Sequence, residues 1–219
     1  HGATRGALRH IRDVLETEMN AATDNPLVFP DGSILSGGNF HGQPLALALD
    51  YAAIALAELA SISERRIYLL LAGADGLPQL LMRETGINSG FMIPQYTAAA
   101  LVSENKVLSH PASVDSLPTS LGQEDHVSMG SISAVKLHSI FRNVETVLGI
   151  EVLAAAQALD YRLPLRPGRG VEAAHQFIRS VIPHREADYY FREDLDPCME
   201  IVRGAELLLA VESEVGELL

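Results

Sequence analysis

Between Pro118 and Pro164 the chain runs without a proline. Apolar residues recur through that stretch at helical spacing, and the pattern predicts one helix over about 121–161. At 1.5 Å per residue it would span about 60 Å. That is far beyond the usual three turns, and helices of that length belong to bundles or coiled coils. Its apolar positions (Val135, Ile140, Val144, Val147, Leu148, Leu153 and Leu159) are spread too broadly for a single heptad seam. Several faces therefore call for burial. The expectation is an all-α fold, an elongated bundle of long antiparallel helices, with part of its surface buried against other subunits.

The head of that helix is the stretch Ser120–Met129, reading S-L-G-Q-E-D-H-V-S-M. Thr119 or Ser120 suits a cap, and Ser120 with Gln123 three residues on fits a capping box. Glu124 and Asp125 then fall in the first turn, where the positive end of the helix macrodipole favours anions.

Elsewhere the pattern is also helical. Leu8, Ile11, Leu15 and Met19 predict a first helix over about 3–21. Asp24-Asn25-Pro26 follows, and a residue before proline is pushed out of the α region. Leu27-Val28-Phe29 and Ser33-Ile34-Leu35 flank a P-D-G turn and predict a short hairpin. A second helix runs from Pro44 to about Ala72. A third covers about 94–110, with Ala98, Ala99 and Ala100 allowing close approach of a neighbour. A Pro/Gly linker over about 162–170 precedes two shorter helices, 171–182 and 197–211, the latter with Asp196 as cap and Pro197 at its first position. The whole of 1–219 reads as a single helical domain. His1 stands where a Met would begin a reading frame, and helical spacing starts almost at once. Both predict a fragment of a longer polypeptide.

Composition narrows the function. Twenty-eight acidic against sixteen basic residues give a net charge of −12. Nucleic-acid binding needs clustered Lys and Arg, so that class is disfavoured. One cysteine, Cys198, excludes an internal disulfide framework and suits a reducing cytoplasm. No apolar run reaches about 18 residues without a charge, so no membrane span is expected. No H-E-x-x-H or C-x-x-C spacing offers a metal site, and Glu124 and His126, two apart on a helix, do not face one side. Glu151 and Asp160 read as solvated or interfacial charges of the long helix.

Gln123-Glu124-Asp125-His126-Val127-Ser128-Met129 resembles a motif of the histidine ammonia-lyases, within the aromatic amino acid lyase family. Further blocks resemble that family in the right order: Thr23–Phe29 (T-D-N-P-L-V-F), Ser36–Gly42 (S-G-G-N-F-H-G), Ser63–Arg66, Asn88–Ile93 and Ser109–Ser120. The likeness is strong over about residues 1–165 and fades beyond Pro167.

The resemblance implies roles for particular residues. Glu124 would be catalytic, contacting the imidazole end of the substrate and assisting proton transfer. A carboxylate can accept an imidazole N–H, and its surroundings can tune it for proton transfer. Phenylalanine and tyrosine lyases carry an amide at the matching place, so the carboxylate points to histidine. Phe40, Asn39 and Gln123 would bind substrate, with His41 and His126 as supporting polar groups. The implied cofactor is a methylidene-imidazolone group formed from an internal Ala-Ser-Gly. This chain contains none, so its source is expected upstream, and the isolated chain is expected to be inactive. The implied partners are L-histidine, the missing N-terminal part and further copies in a homotetramer. A mean hydropathy of +0.14 suits surface meant for partners. Two other readings use the same residues: a non-catalytic helical oligomerisation module, and a tyrosine or phenylalanine lyase or aminomutase.

Overall fold

The computed structural model describes residues 1–218, and its architecture is all-α. Among these residues seven α-helices follow in order: α1 Gly2–Met19, α2 Gln43–Leu71, α3 Met92–Leu108, α4 Gly130–Asp160, α5 Arg169–Val181, α6 Arg192–Arg203 and α7 Glu206–Val215. Two short strands, β1 Leu27–Val28 and β2 Ile34–Leu35, lie between α1 and α2. The chain packs as two compact units. The first comprises residues 1–59 and 104–142, the second 60–103 and 143–218.

The first unit is built on small side chains. Ala7 and Ile11 of α1 bury against Ala48, Ala52 and Ala55 of α2, with Val14, Leu15 and Leu137 at the margin. Alanines three and four residues apart on α2 leave a shallow face on which another helix can lie close. Helix α1 ends at Met19, before the proline signal requires. Asn20 Nδ2 donates to the Glu16 carbonyl at 2.7 Å and satisfies one of the helix's terminal acceptors. The hairpin forms as its turn chemistry predicts. Asp31 Oδ1 accepts from the Ser33 amide at 2.9 Å and the Ser33 hydroxyl at 2.7 Å, and Leu27 pairs with Leu35, Val28 with Ile34.

The second unit buries larger groups. Ile67, Leu81, Met82, Phe91, Ile150, Leu153 and Ile182 are almost wholly enclosed, and Phe91 meets Phe191 edge-on at 5.1 Å. Gln157, buried on α4, donates to the Arg185 carbonyl at 2.7 Å and accepts from the Arg185 amide at 3.3 Å. It thereby ties α4 to the segment after α5. Gly149 lets α6 approach α4: a Cβ there would lie 3.2 Å from Met199 Cγ. Gly90 has φ +55°, and a Cβ would meet the Leu80 carbonyl oxygen at 2.5 Å and Met82 Cβ at 2.8 Å. Gly90→Ala combines a left-handed backbone with a backbone clash, and we expect a loss of about 3 kcal/mol. Denaturant unfolding with an unchanged midpoint would contradict that.

Three expected boundaries need correction. Helix α4 begins at Gly130, not near residue 121, and its 31 residues span about 46 Å. Ser120 (φ 49°), Leu121 (φ 59°) and Gly122 (φ 90°) form a left-handed turn instead. No capping box forms there, and Glu124 and Asp125 do not sit in a helical first turn. Helix α6 begins at Arg192 with Pro197 inside it. Buried Asp194, gripped by Arg185 Nε at 2.9 Å and Nη2 at 2.8 Å, anchors the turn ahead of the proline. The helix expected to reach residue 211 is divided at Gly204, and α7 starts afresh at Glu206.

Helix α2 is long and apolar enough to cross a bilayer. Its buried polar residues Asp50, Ser63 and Glu64 each have partners within the chain, the pattern of a core helix.

Candidate active site

Two loops of the first unit carry the candidate site residues, and each is held by a polar residue of α2 or of the turns around it. The first is Ser36–Gly42. Asn25 Oδ1 accepts from the Ser36 hydroxyl at 3.2 Å and the Gly37 amide at 3.3 Å, fastening the D-N-P turn to the Gly-Gly pair. Gly37 (φ 155°) and Gly38 (φ 99°) take backbone conformations that side chains resist. The Gly42 amide then closes on the Asn39 carbonyl at 2.9 Å and leads into α2. The result is a tight loop that leaves Asn39 and Phe40 outside. Phe40 is 58% exposed.

The second loop runs from His110 to Met129. Its anchor is Asp50, buried on α2, which accepts the Ser113 amide at 2.7 Å and lies 3.5 Å from Lys136 Nζ of α4. Burial opposes ionisation of Asp50. The Ser113 amide and hydroxyl, Ser133 and Lys136 outweigh it and hold the carboxyl below its ordinary value. Gln43 Nε2 adds a bond to the Ser113 carbonyl at 3.2 Å. Further along, Ser116 Oγ accepts the Val127 amide at 3.0 Å. Between those points the chain doubles back. The Thr119 amide donates to the Glu124 carbonyl at 2.9 Å, and the Gly122 amide to the Thr119 carbonyl at 2.9 Å. Glu124 emerges half-buried from this turn, and the Thr119 hydroxyl donates to its Oε2 at 3.2 Å.

The loops meet at their histidines. The Ser128 hydroxyl donates to the His41 carbonyl, and the His41 and His126 rings stand edge-to-face at 5.9 Å. His41 in turn meets Phe40 at 6.1 Å. The structure thus joins Phe40, His41 and His126 in one run of rings, two residues from Glu124. Gln123 lies exposed at the outside of the turn, and Asn39 enters through its main chain. Sequence reasoning missed Asp50, Ser113, Ser116, Thr119 and Ser128. Asp50 carried a signal: it falls on the apolar face of α2, four residues after buried Ala46, where an unpaired charge would be costly. The serines stood within the family-like stretches Ser109–Ser120 and Gln123–Met129, but nothing marked them as braces, because a hydroxyl that braces a loop looks like any surface serine until the fold brings its partner near.

In the second unit, the two charges expected to be solvated or interfacial find partners within the chain. Glu151 accepts Arg66 Nη2 at 2.7 Å and the Ser63 hydroxyl at 2.6 Å. Asp160, the last residue of α4, lies 2.7 Å from His175 Nε2, from His184 Nδ1 and from Arg179 Nη2.

Comparison with known proteins identifies the family and the fold. The sequence model of the family described as aromatic amino acid lyase matches residues 1–180. The histidine ammonia-lyase of Natranaerobius thermophilus is 51% identical over 221 residues, covering 100% of this chain and 44% of the relative. The crystal structure of histidine ammonia-lyase from Trypanosoma cruzi superposes with a TM-score of 0.93 at 47% identity, over 98% of this chain and 43% of that one. Tyrosine aminomutase from Streptomyces globisporus does so with a TM-score of 0.91 at 38% identity, over 97% and 41%. The chain therefore spans less than half the length of these relatives. Since the family match takes in both loops and all of α1 to α4, the chain belongs to the aromatic amino acid lyase family.

Proposed function

We propose that this chain is the C-terminal part of a histidine ammonia-lyase, which deaminates L-histidine to urocanate and ammonia without oxidation. The observation that carries the reading is the meeting of the Ser36–Gly42 and His110–Met129 loops, which sets Phe40, His41 and His126 beside the turn that bears Glu124. A half-buried carboxylate on such a turn suits a substrate that brings its own ring N–H. Glu124 accepts the imidazole N–H and moves a proton; exposed Phe40 offers an apolar ring against the substrate.

The family's electrophile forms from Ala-Ser-Gly, and none occurs in these 219 residues. No residue of this chain builds the group, and we place its precursor in polypeptide beyond them. That group, when present, supplies the electrophile that activates the departing amine. The open face at Phe40 and the Gly37–Gly38 backbone are what this chain would offer to it and to the substrate. We also place the chain in a homotetramer. Tyr51, Ile54, Tyr68, Leu69, Tyr96 and Phe141 are large, apolar and 44–66% exposed, which suits burial by other subunits.

The test is product analysis. The full-length polypeptide, offered L-histidine, L-tyrosine and L-phenylalanine separately, should release urocanate and ammonia from histidine at the greatest kcat/KM. The 219-residue chain alone should release none, and adding the remainder of the polypeptide should restore turnover. Turnover of tyrosine with retention of its amino group would point to an aminomutase and end the histidine reading. Urocanate from the isolated chain would end the requirement for an outside electrophile.

A further inference from the structure

The turn that bears Glu124 is closed on a single residue. Thr119 donates its amide to the Glu124 carbonyl at 2.9 Å and accepts the Glu124 amide at 3.4 Å and the Gly122 amide at 2.9 Å. Its hydroxyl reaches Glu124 Oε2 at 3.2 Å. Backbone and side chain of one threonine thus hold both ends of the glutamate. The residues enclosed between them are forced. Ser120 and Leu121, neither of them glycine, have φ of 49° and 59°, a left-handed conformation that residues with a Cβ adopt only at a cost. Leu121 gains nothing within the chain for that cost, since it is fully exposed. A backbone relaxed to right-handed φ at these two positions would open the six-residue closure from Thr119 to Glu124 and release the carboxylate. The bracing bonds at Ser116–Val127 and Ser128–His41 lie outside this closure and leave the side chain of Glu124 unspecified.

We propose that Thr119 is a positioning residue: its hydroxyl sets the Glu124 carboxylate on a turn kept strained for that purpose. This rests on the reading of Glu124 as a group that touches substrate. Losing one hydrogen bond to a carboxylate that water can partly replace should lower kcat/KM about tenfold.

The experiment is a double-mutant cycle in the full-length enzyme, with Thr119→Val, Thr119→Ser, Glu124→Gln and the double variant Thr119→Val/Glu124→Gln assayed on L-histidine. Thr119→Val keeps shape and removes the donor, and should lose about tenfold in kcat/KM. Thr119→Ser keeps the donor and should stay within about twofold of the parent. The double variant should be no worse than Glu124→Gln, because the hydroxyl acts only through the carboxylate. If Glu124→Gln lowers activity while Thr119→Val does not, or if the two losses add, Thr119 has no positioning role and the reading of Glu124 stands. If Glu124→Gln itself is without effect, that reading falls and takes this one with it. Should Thr119→Val fail to fold, Thr119→Ala takes its place in the cycle, with the same losses expected and the same results overturning the proposal.

Discussion

Asp160→Asn should cost the second unit about 3 kcal/mol at neutral pH and lower its thermal midpoint by about 8 °C. Asp160 is 16% exposed and faces three donors: Arg179 through Nε at 3.0 Å and Nη2 at 2.7 Å, His175 and His184. The amide keeps the volume but leaves the Arg179 guanidinium, itself 15% exposed, without its counter-charge. A buried ion pair broken on one side costs far more than its net worth when intact, since the remaining charge is already desolvated. The pH dependence follows. Burial opposes ionisation of Asp160, while Arg179, His184 and His175 favour it more strongly and hold its carboxyl below the ordinary value. An unfolded Asp titrates near pH 3.9, so the contribution is fully present above that and fades as pH falls through the lower folded value. The parent and Asp160→Asn should therefore differ widely at pH 7, and the difference should shrink as pH falls below the ordinary aspartate range. Equal melting midpoints at pH 7 would show that the two histidines and Arg179 find partners elsewhere.

On the proposed function, Glu124→Gln in the full-length polypeptide should reduce kcat/KM for L-histidine by about a hundredfold or more, the usual loss when a proton-transferring group is removed. The substitution keeps the shape and one acceptor, so the Thr119 closure survives and the fold should be unmoved. What is lost is the charge that an imidazole N–H would meet. A substrate without a ring N–H, such as phenylalanine, should suffer less, and the ratio of the two kcat/KM values should fall. Equal losses on both substrates would mean that Glu124 acts on something common to them, and the specificity argument would be abandoned. The thermal midpoint serves as control, because a midpoint drop alongside the activity loss would indicate a structural effect.

Periodicity and turn chemistry were enough to read an all-α chain, the hairpin at Leu27–Leu35 and most helix bodies within a few residues, because those follow from neighbours in sequence. Proline-free length, though, is permission and not command. Nothing in the spacing of residues 121–129 forbade a helix. What stops it is the pairing of Thr119 with Glu124 and of Ser128 with His41, and the latter partner lies 87 residues away. The same holds for Pro197, tolerated inside α6 because Asp194 ahead of it is gripped by Arg185.

The residues Asn39, Phe40, His41, Gln123, Glu124 and His126 could be nominated from the two motifs in which they stand. That His41 and His126 touch, that Asp50 anchors the second loop, and that Thr119 closes on Glu124 could not. A one-dimensional string records which side chains can donate and accept. Which donor meets which acceptor is settled when helices bring distant loops within about 3 Å, and hydrogen bonds fall away steeply beyond that distance.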